Sequence, residues 1–428
     1  MPARPRPTTA TVAALLLLVV GLATAIKLPC AGDRGGHGGG IGGFLRERSW
    51  CYSDVAALYD DRGFDQDVLP YDLLDGRDGH AFVDRGRAQP FEYPPGIAVG
   101  GWLVALVTAS ERGFLIVTAG TLAAAAVITL WQLAVAARSL GVARQRLLLF
   151  AASPTLLALG VQNWDLWAVA PAVAGVAAAA RQRPLPAAGW LGIAAAVKWW
   201  PALLVPVVLV GPWAPRPARR WGAGAVFAGT WIAAQIPALL VAPSGWWASI
   251  VFHLEREPNR ASPLGVLQHV GEAVAPSPVW SEVVVPAGAL AGAGVLLGVV
   301  VTVARRLGRG TLGPADAAFV LVGTFLVVNK VVSVQFVLWL LPLAVLAHVP
   351  WWAVVAVDGA NAAVWLLWAP VGDDLSGQFW TSLALAVARS GLLAWTLVAA
   401  LRGRWSTRRG TGPSPPVTRD EVAGTVPA

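Results

Sequence analysis

Apolar runs close to the length that crosses a bilayer, about 20 residues each, recur from one end of this sequence to the other. They fall near 9–26, 114–137, 147–161, 166–180, 186–197, 201–211, 222–242, 281–303, 313–328, 337–348, 351–369 and 380–401. The pattern predicts an all-α polytopic membrane protein with about 12 transmembrane helices over residues 1–401. Runs as short as 201–211 and 337–348 predict broken or strongly buried helices, since irregular backbone at membrane depth must be covered by protein. A further run at 94–110 opens Tyr93-Pro94-Pro95-Gly96. Were both it and 114–137 to cross, Arg138, Arg144 and Arg146 would lie outside. Residues 94–110 therefore read as an interfacial or re-entrant helix on the outer face.

Arginine sets the orientation. Arg138/Arg144/Arg146, Arg181/Arg183, Arg216/Arg219/Arg220, Arg305/Arg306/Arg309 and the run from Arg402 mark cytoplasmic connections by the positive-inside bias. Alternating from them, the first loop (27–92), the second loop (244–279) and Asp373-Asp374 face the exterior. So do three polar knots: Gln162-Asn163-Trp164-Asp165, Lys198-Trp199-Trp200, and Asn329-Lys330 through Gln335. Residues 402–428, rich in Pro, Thr and Arg, read as a disordered cytoplasmic tail. Arg4 and Arg6 precede the first run, and Ala23-Thr24-Ala25 near its end resembles a signal-peptide cleavage site. An uncleaved anchor is preferred, and either reading leaves the loop outside.

Charged residues make up only 13% of the chain, against about 25% in soluble proteins. The net charge of +8 does not suggest a nucleic-acid face, because apolar stretches interrupt the basic clusters every 20 or so residues. Of 24 Asp and Glu, 12 fall between Lys27 and Glu92. That loop also holds both cysteines, Cys30 and Cys51, as an exterior disulfide or as two free thiols. Lysine is scarce, at 27, 198 and 330, always at a predicted outer helix end. Lys27 suits snorkelling to lipid headgroups. Lys198 and Lys330, in knots with Trp, Asn or Gln, suit an anionic group such as a lipid phosphate.

Most carboxylates of the first loop should be simply solvated. Asp54 differs, following Trp50-Cys51-Tyr52-Ser53 with Tyr59 on the same short helix. A carboxyl beside apolar surface has its pKa raised toward use as a base. Asp60-Asp61 without further ligands is a weak metal signal, and no metal site or cofactor is expected. In the second loop, His253 to Glu257 reads either as an interfacial helix with ion pairs or as His253 and Arg256 contacting a phosphate or sugar. No nucleophile–His–acid triad, phosphate loop or dinucleotide fingerprint is present, and Gly35–Gly43 reads as flexible loop.

Several ordered motifs resemble glycosyltransferase family 87. They are Cys51-Tyr52-Ser53-Asp54, Leu58-Tyr59, Asp61-Arg62-Gly63, Pro70-Tyr71, Glu92-Tyr93-Pro94, Asn163-Trp164-Asp165-Leu166, the 192–201 stretch with Lys198, and Asn329-Lys330-Val331 with Ser333, Gln335, Leu338-Trp339 and Pro342. The resemblance implies a GT-C-like bundle, actinobacterial relatives, a polyprenyl-phosphate sugar donor, and Asp54 as catalytic base. The best-known relatives transfer mannose in cell-envelope glycolipid assembly. The chain departs from the family pattern at 256–262, and at Val332 and Val334, where Tyr and Pro are usual. These changes bear on the acceptor.

The resulting expectation is an inverting hexosyltransferase in the plasma membrane, acting at the exterior face on a lipid or glycan acceptor. Lys198, Lys330 and Arg256 would hold the donor phosphate, while Tyr59, Asn163, Asp165, His253 and Gln335 would orient sugar or acceptor. The rival is a secondary transporter with a polar site between broken helices, although such sites lie near the midplane and these polar residues gather at one face.

Overall fold

The computed structural model describes residues 8–32, 40–66, 69–71, 83–84, 87–88, 91–210, 217–368 and 377–402. Asp373-Asp374 and the tail from residue 403 lie outside them. Among the described residues the regular structure is helical, apart from a two-residue antiparallel ribbon pairing Val83–Asp84 with Arg87–Ala88.

The first helix, α1 (Thr9–Lys27), is capped by the Thr8 hydroxyl, which accepts from the Thr11 amide at 3.1 Å. Two short helices follow in the first loop, α2 (Gly40–Glu47) and α3 (Asp54–Asp61). Gly40–Gly43 thus belong to a helix, which corrects the loop reading for that half of the glycine run. Its end is tied down by Arg46 Nε, which donates to the Pro29 carbonyl at 2.5 Å. Helix α4 (Pro95–Ala105) has 11 residues, about 16 Å at 1.5 Å per residue. That is half of a hydrocarbon core roughly 30 Å thick.

Helix α5 (Glu111–Leu140) is the longest, and it stops at Gly141, whose φ of 66° takes the left-handed conformation that ends helices most cheaply. The 147–161 run is split by Ser153-Pro154 into α6 (Leu148–Ala151) and α7 (Pro154–Leu159). Then come α8 (Asp165–Ala180), α9 (Pro184–Val197), α10 (Val205–Leu209) and α11 (Pro217–Val241). Alanines crowd α8 and α9, so their backbones approach closely. Gly192 carries the same logic between α9 and α11, where a Cβ would fall 2.7 Å from the Phe227 carbonyl.

The second loop holds α12 (Pro243–Glu255) and α13 (Pro263–Val274). The remaining helices are α14 (Val285–Gly308), α15 (Pro314–Val328), α16 (Val337–Leu346), α17 (Trp351–Trp368) and α18 (Gly377–Leu401). Among the described residues five helical segments are long and apolar enough to cross a membrane, at 9–30, 111–140, 218–241, 280–308 and 380–401. The shorter apolar helices α8, α15 and α16 are mostly buried, while α9 leaves Leu185, Trp190 and Ile193 exposed along one face. Of α16, every residue is buried, so its 10 residues can end in polar loops that other helices surround. The protein is a multi-pass membrane protein whose loop-rich end gathers α3, α4, α12 and the polar knots.

Candidate active site

Asp54 is the first residue of α3. Ser53 before it is extended, with φ −145° and ψ 131°, and its hydroxyl donates to the Val161 carbonyl at 2.9 Å. The Asp54 amide donates to the Gln162 carbonyl at 2.8 Å. These bonds join the first loop to the turn between α7 and α8. Asn163 then donates through its Nδ2 to Asp54 Oδ2 at 2.7 Å and to the Tyr93 hydroxyl at 2.6 Å. Its Oδ1 accepts from the Trp164 amide at 2.7 Å and from the Lys198 ammonium at 3.2 Å, which settles the end of the amide that faces Asp54.

Burial lifts the Asp54 carboxyl above the ordinary aspartate range, while the Asn163 and Tyr52 hydrogen bonds and the Lys198 charge pull it back. The Tyr52 and Tyr93 hydroxyls are pushed up. Tyr52 is shifted chiefly by the Asp54 charge and Tyr93 chiefly by burial. Both remain protonated hydrogen-bond donors.

Lys198 ends α9 in an extended conformation. Its ammonium donates to Asp165 Oδ1 at 2.6 Å and lies 5.4, 5.6 and 5.7 Å from the centroids of Tyr93, Phe336 and Trp339, a cation–π setting. The Trp339 indole donates to the same Asp165 oxygen at 2.6 Å. Asp165 is 1% exposed and lies behind Lys198 rather than on the cavity wall. Its expected contact with sugar is corrected accordingly: the carboxylate is the partner of the lysine.

In front of these groups opens a cavity of about 590 Å³. Asp54, Asn163, Lys198, His253, Arg256, Lys330 and Gln335 are among the residues that line it. Two ties join the 254–259 segment to the 330–332 segment. Lys330 donates to the Leu254 carbonyl at 2.7 Å, and Asn259 Oδ1 accepts from the Val332 amide at 2.9 Å. Burial lowers the pKa of the Lys330 ammonium. His253 Nε2 contacts the Glu92 carbonyl at 2.6 Å, and burial lowers its pKa as well. The Arg256 guanidinium sits 5.5 Å from the Phe252 ring centroid. The apolar part of the wall is Trp199, Trp200, Phe325, Phe336 and Trp339.

Tyr59 is not on this wall. It is 6% exposed and packs against Phe114, ring centroids 5.1 Å apart. Five residues along a helix turn through about 140° beyond a full revolution, so α3 cannot present Asp54 and Tyr59 to one cavity. Lys27 also departs from expectation. Its side chain is wholly buried and donates to the Trp50 carbonyl (3.1 Å), the Tyr52 carbonyl (2.8 Å) and Gln162 Oε1 (2.7 Å). It does not reach headgroups because the loop folds over it. Cys30 and Cys51, their Cα atoms 5.3 Å apart, are bonded next to it.

Glu92 lines the cavity without having been singled out. Its carboxylate pairs with Arg62 Nε at 3.3 Å, and burial lifts its pKa. The one signal was its place in Glu92-Tyr93-Pro94. A second cavity of about 440 Å³ shares Tyr52, Gln162, Ser333 and Gln335 with the first. It adds Ser49, Asn259, Ala261, Val334 and Trp365. Among the described residues no group of three or more His, Cys, Asp or Glu gathers to hold a metal ion.

The model of glycosyltransferase family 87 matches residues 91–333, more than half of the chain. The protein belongs to glycosyltransferase family 87. The matched part carries every cavity cation of this family member, together with Glu92 and Asn163. Asp54 and Gln335 lie outside it and are joined to it by the hydrogen bonds and shared wall above. No curated protein matches the chain. Among solved structures, the crystal structure of ArnT from Cupriavidus metallidurans bound to undecaprenyl phosphate is similar at 11% identity. It covers 91% of this chain and 78% of that one, with a TM-score of 0.43.

Proposed function

We propose that this family 87 protein transfers a hexose, mannose by family expectation, from a polyprenyl-phosphate donor to a hydroxyl of a lipid or glycan acceptor. The observation that carries the reading is a carboxylate without a salt-bridge partner, Asp54, in a cavity that Lys198, Arg256 and Lys330 also line and whose other carboxylate, Glu92, is paired with Arg62. Lys198 and Glu92 already have partners in Asp165 and Arg62. Lys330 and Arg256 therefore supply most of the positive field, and they would hold the donor phosphate. Lys198 has given two of its three protons to Asp165 and Asn163. The third is available to the same phosphate.

The reaction is a single displacement with inversion. The acceptor oxygen attacks the anomeric carbon, and the bond from that carbon to the phosphate oxygen breaks. Asp54 takes the acceptor proton. The polyprenyl phosphate leaves as an anion, so no general acid is needed; fixed cations stabilise the developing charge. In-line attack requires the acceptor to arrive from the side opposite the phosphate. The second cavity, across the Tyr52, Gln162, Ser333 and Gln335 wall, supplies that approach. Asn163, Gln335 and His253 would orient sugar hydroxyls, and the aromatic wall would take the first isoprene units. No cofactor enters the scheme.

In this reading the site lies at the exterior face of the plasma membrane. Helices α1, α9 and α15 deliver Lys27, Lys198 and Lys330 at their C-terminal ends. The opposite end of the bundle carries Arg144, Arg146, Arg181, Arg183, Arg305 and Arg306, the side marked cytoplasmic by the positive-inside bias. A transporter would also use a polar cavity, but membership of a glycosyltransferase family favours transfer. The test is transfer of label from polyprenyl-phosphate-[14C]mannose to envelope lipid extract by protein in nanodiscs. A product formed by the wild type and absent with Asp54→Asn supports the reading. Equal product from a folded Asp54→Asn protein removes Asp54 as base, and no product from any polyprenyl-phosphate hexose removes the reaction.

A further inference from the structure

A lysine buried without a carboxylate is costly, since a charge taken from water needs a compensating partner. Lys27 is such a residue. Its three ammonium protons go to three neutral oxygens, the Trp50 and Tyr52 carbonyls and Gln162 Oε1, and the Trp365 ring lies 5.0 Å from the nitrogen. A methionine would fill the end of α1 without that cost. The oxygens Lys27 collects are not arbitrary. Trp50 and Tyr52 lead directly into Ser53 and Asp54, and Gln162 precedes Asn163, whose amide holds Asp54 Oδ2. One ammonium thus ties the 50–52 backbone to the Gln162 side chain, on the two sides of the hydrogen bond that orients the carboxylate.

We infer that Lys27 is a positioning residue of the transfer site: it clamps the 50–54 segment to the 162–163 turn and so holds the Asp54 carboxylate against the Asn163 amide. The inference rests on the assignment of Asp54 given above. Lys27 does not line the cavity and makes no contact with substrate. Asp54 is faced by other titratable and charged groups, which the test holds constant. They are Tyr52 beside it, Asp61 on its own helix, Glu92 and Tyr93 from the loop before α4, Asp165 and Lys198 from the knots, and His253, Arg256 and Lys330 on the cavity wall.

The experiment uses full-length protein in nanodiscs and follows the Asp54 carboxyl band by infrared titration, the band being the one missing from Asp54→Asn. The Asn163 hydrogen bond favours the Asp54 carboxylate, so loosening the clamp with Lys27→Met should move the Asp54 midpoint up by about one pH unit. Lys27→Arg should titrate as the wild type. Transfer by Lys27→Met should lose about tenfold in kcat at pH 7, leave KM unchanged, and recover as pH rises through the new midpoint. A merely structural lysine would give lost activity that no pH restores. Lys27→Ala removes every donor as well, and it serves if the methionine variant does not fold. An unshifted Asp54 midpoint in folded Lys27→Met or Lys27→Ala overturns the inference. A shifted midpoint in protein that transfers no sugar would leave the clamp standing and remove the transferase reading instead.

Discussion

At the scale of single residues, the chemistry depends on Asp54 being ionised in a place that resists ionisation. Its carboxyl is raised by burial, and a base works only when unprotonated. Activity should therefore fall as pH drops through a value above the ordinary aspartate pKa of about 3.9, which a pH–kcat profile would locate. Asp54→Asn should cost about 10²- to 10⁴-fold in kcat, the usual worth of a positioned base. Lys198 separates stability from chemistry. With Asp165 1% exposed behind it, Lys198→Met leaves a buried carboxylate without its cation, held only by the Trp339 indole, and should destabilise by about 3–5 kcal/mol. The double variant Lys198→Met/Asp165→Leu should recover much of the lost thermal stability and none of the transfer. Recovery of both would remove Lys198 from the donor site.

Lys198 and Lys330 stood out in the sequence because this chain has 29 Arg and only 3 Lys, and a rare cation at an outer helix end marks itself. Asp54 stood out by its aromatic neighbours and its motif. Lys27 shared the rarity, yet its partners are chosen by a loop closure and by a residue 135 positions away, which periodicity does not carry. Tyr59 was placed in the site by proximity along the chain, and the helical turn of α3 points it to Phe114 instead. Glu92 and Asp165 show the complementary failure. One carboxylate proves to line the wall and the other to stand behind a lysine, a distinction made only by tertiary packing.

At the scale of elements, short helices and knots position what the long helices enclose. The break at Ser153-Pro154 was not read from the sequence, where 147–161 is one apolar run. Proline there leaves α7 only six residues long, and this sets the height of the 160–164 turn that holds Asp54. The Cys30–Cys51 link fastens the other half of that junction. Their separation of 21 residues corresponds to about 3 kcal/mol of loop-closure stabilisation. Thermal denaturation with and without a membrane-permeant reductant should show a lowered midpoint on reduction, and the Cys30→Ser/Cys51→Ser variant should match the reduced protein. Helix α9 offers a second test. Gly192→Leu would force α9 away from α11 against the Phe227 carbonyl. Transfer should drop severalfold, because Lys198 rides on the end of the displaced helix.

At the scale of the whole molecule, the polar residues occupy one end of the bundle and the arginine clusters the other. Orientation is thereby open to direct labelling. An impermeant maleimide added to intact cells should modify Ser277→Cys, exposed between α13 and α14, and should spare Gln145→Cys, exposed at the arginine end. The reverse pattern would place the site in the cytoplasm and require a donor presented there. Native cysteines do not interfere, being bonded to each other.

The burial of Lys27 also constrains how the protein is made. Its acceptor Gln162 is translated 135 residues after it, on the order of ten seconds later at ordinary elongation rates. During that interval the new helix sits in the translocon or the bilayer with its ammonium short of its third acceptor, since only the Trp50 and Tyr52 carbonyls have been made, and the aqueous interface is the place that tolerates it. Reaching for headgroups is then a stage in biogenesis rather than the finished state. The lysine is withdrawn into the protein when the seventh helix arrives, so the base is assembled only after more than a third of the chain has been inserted.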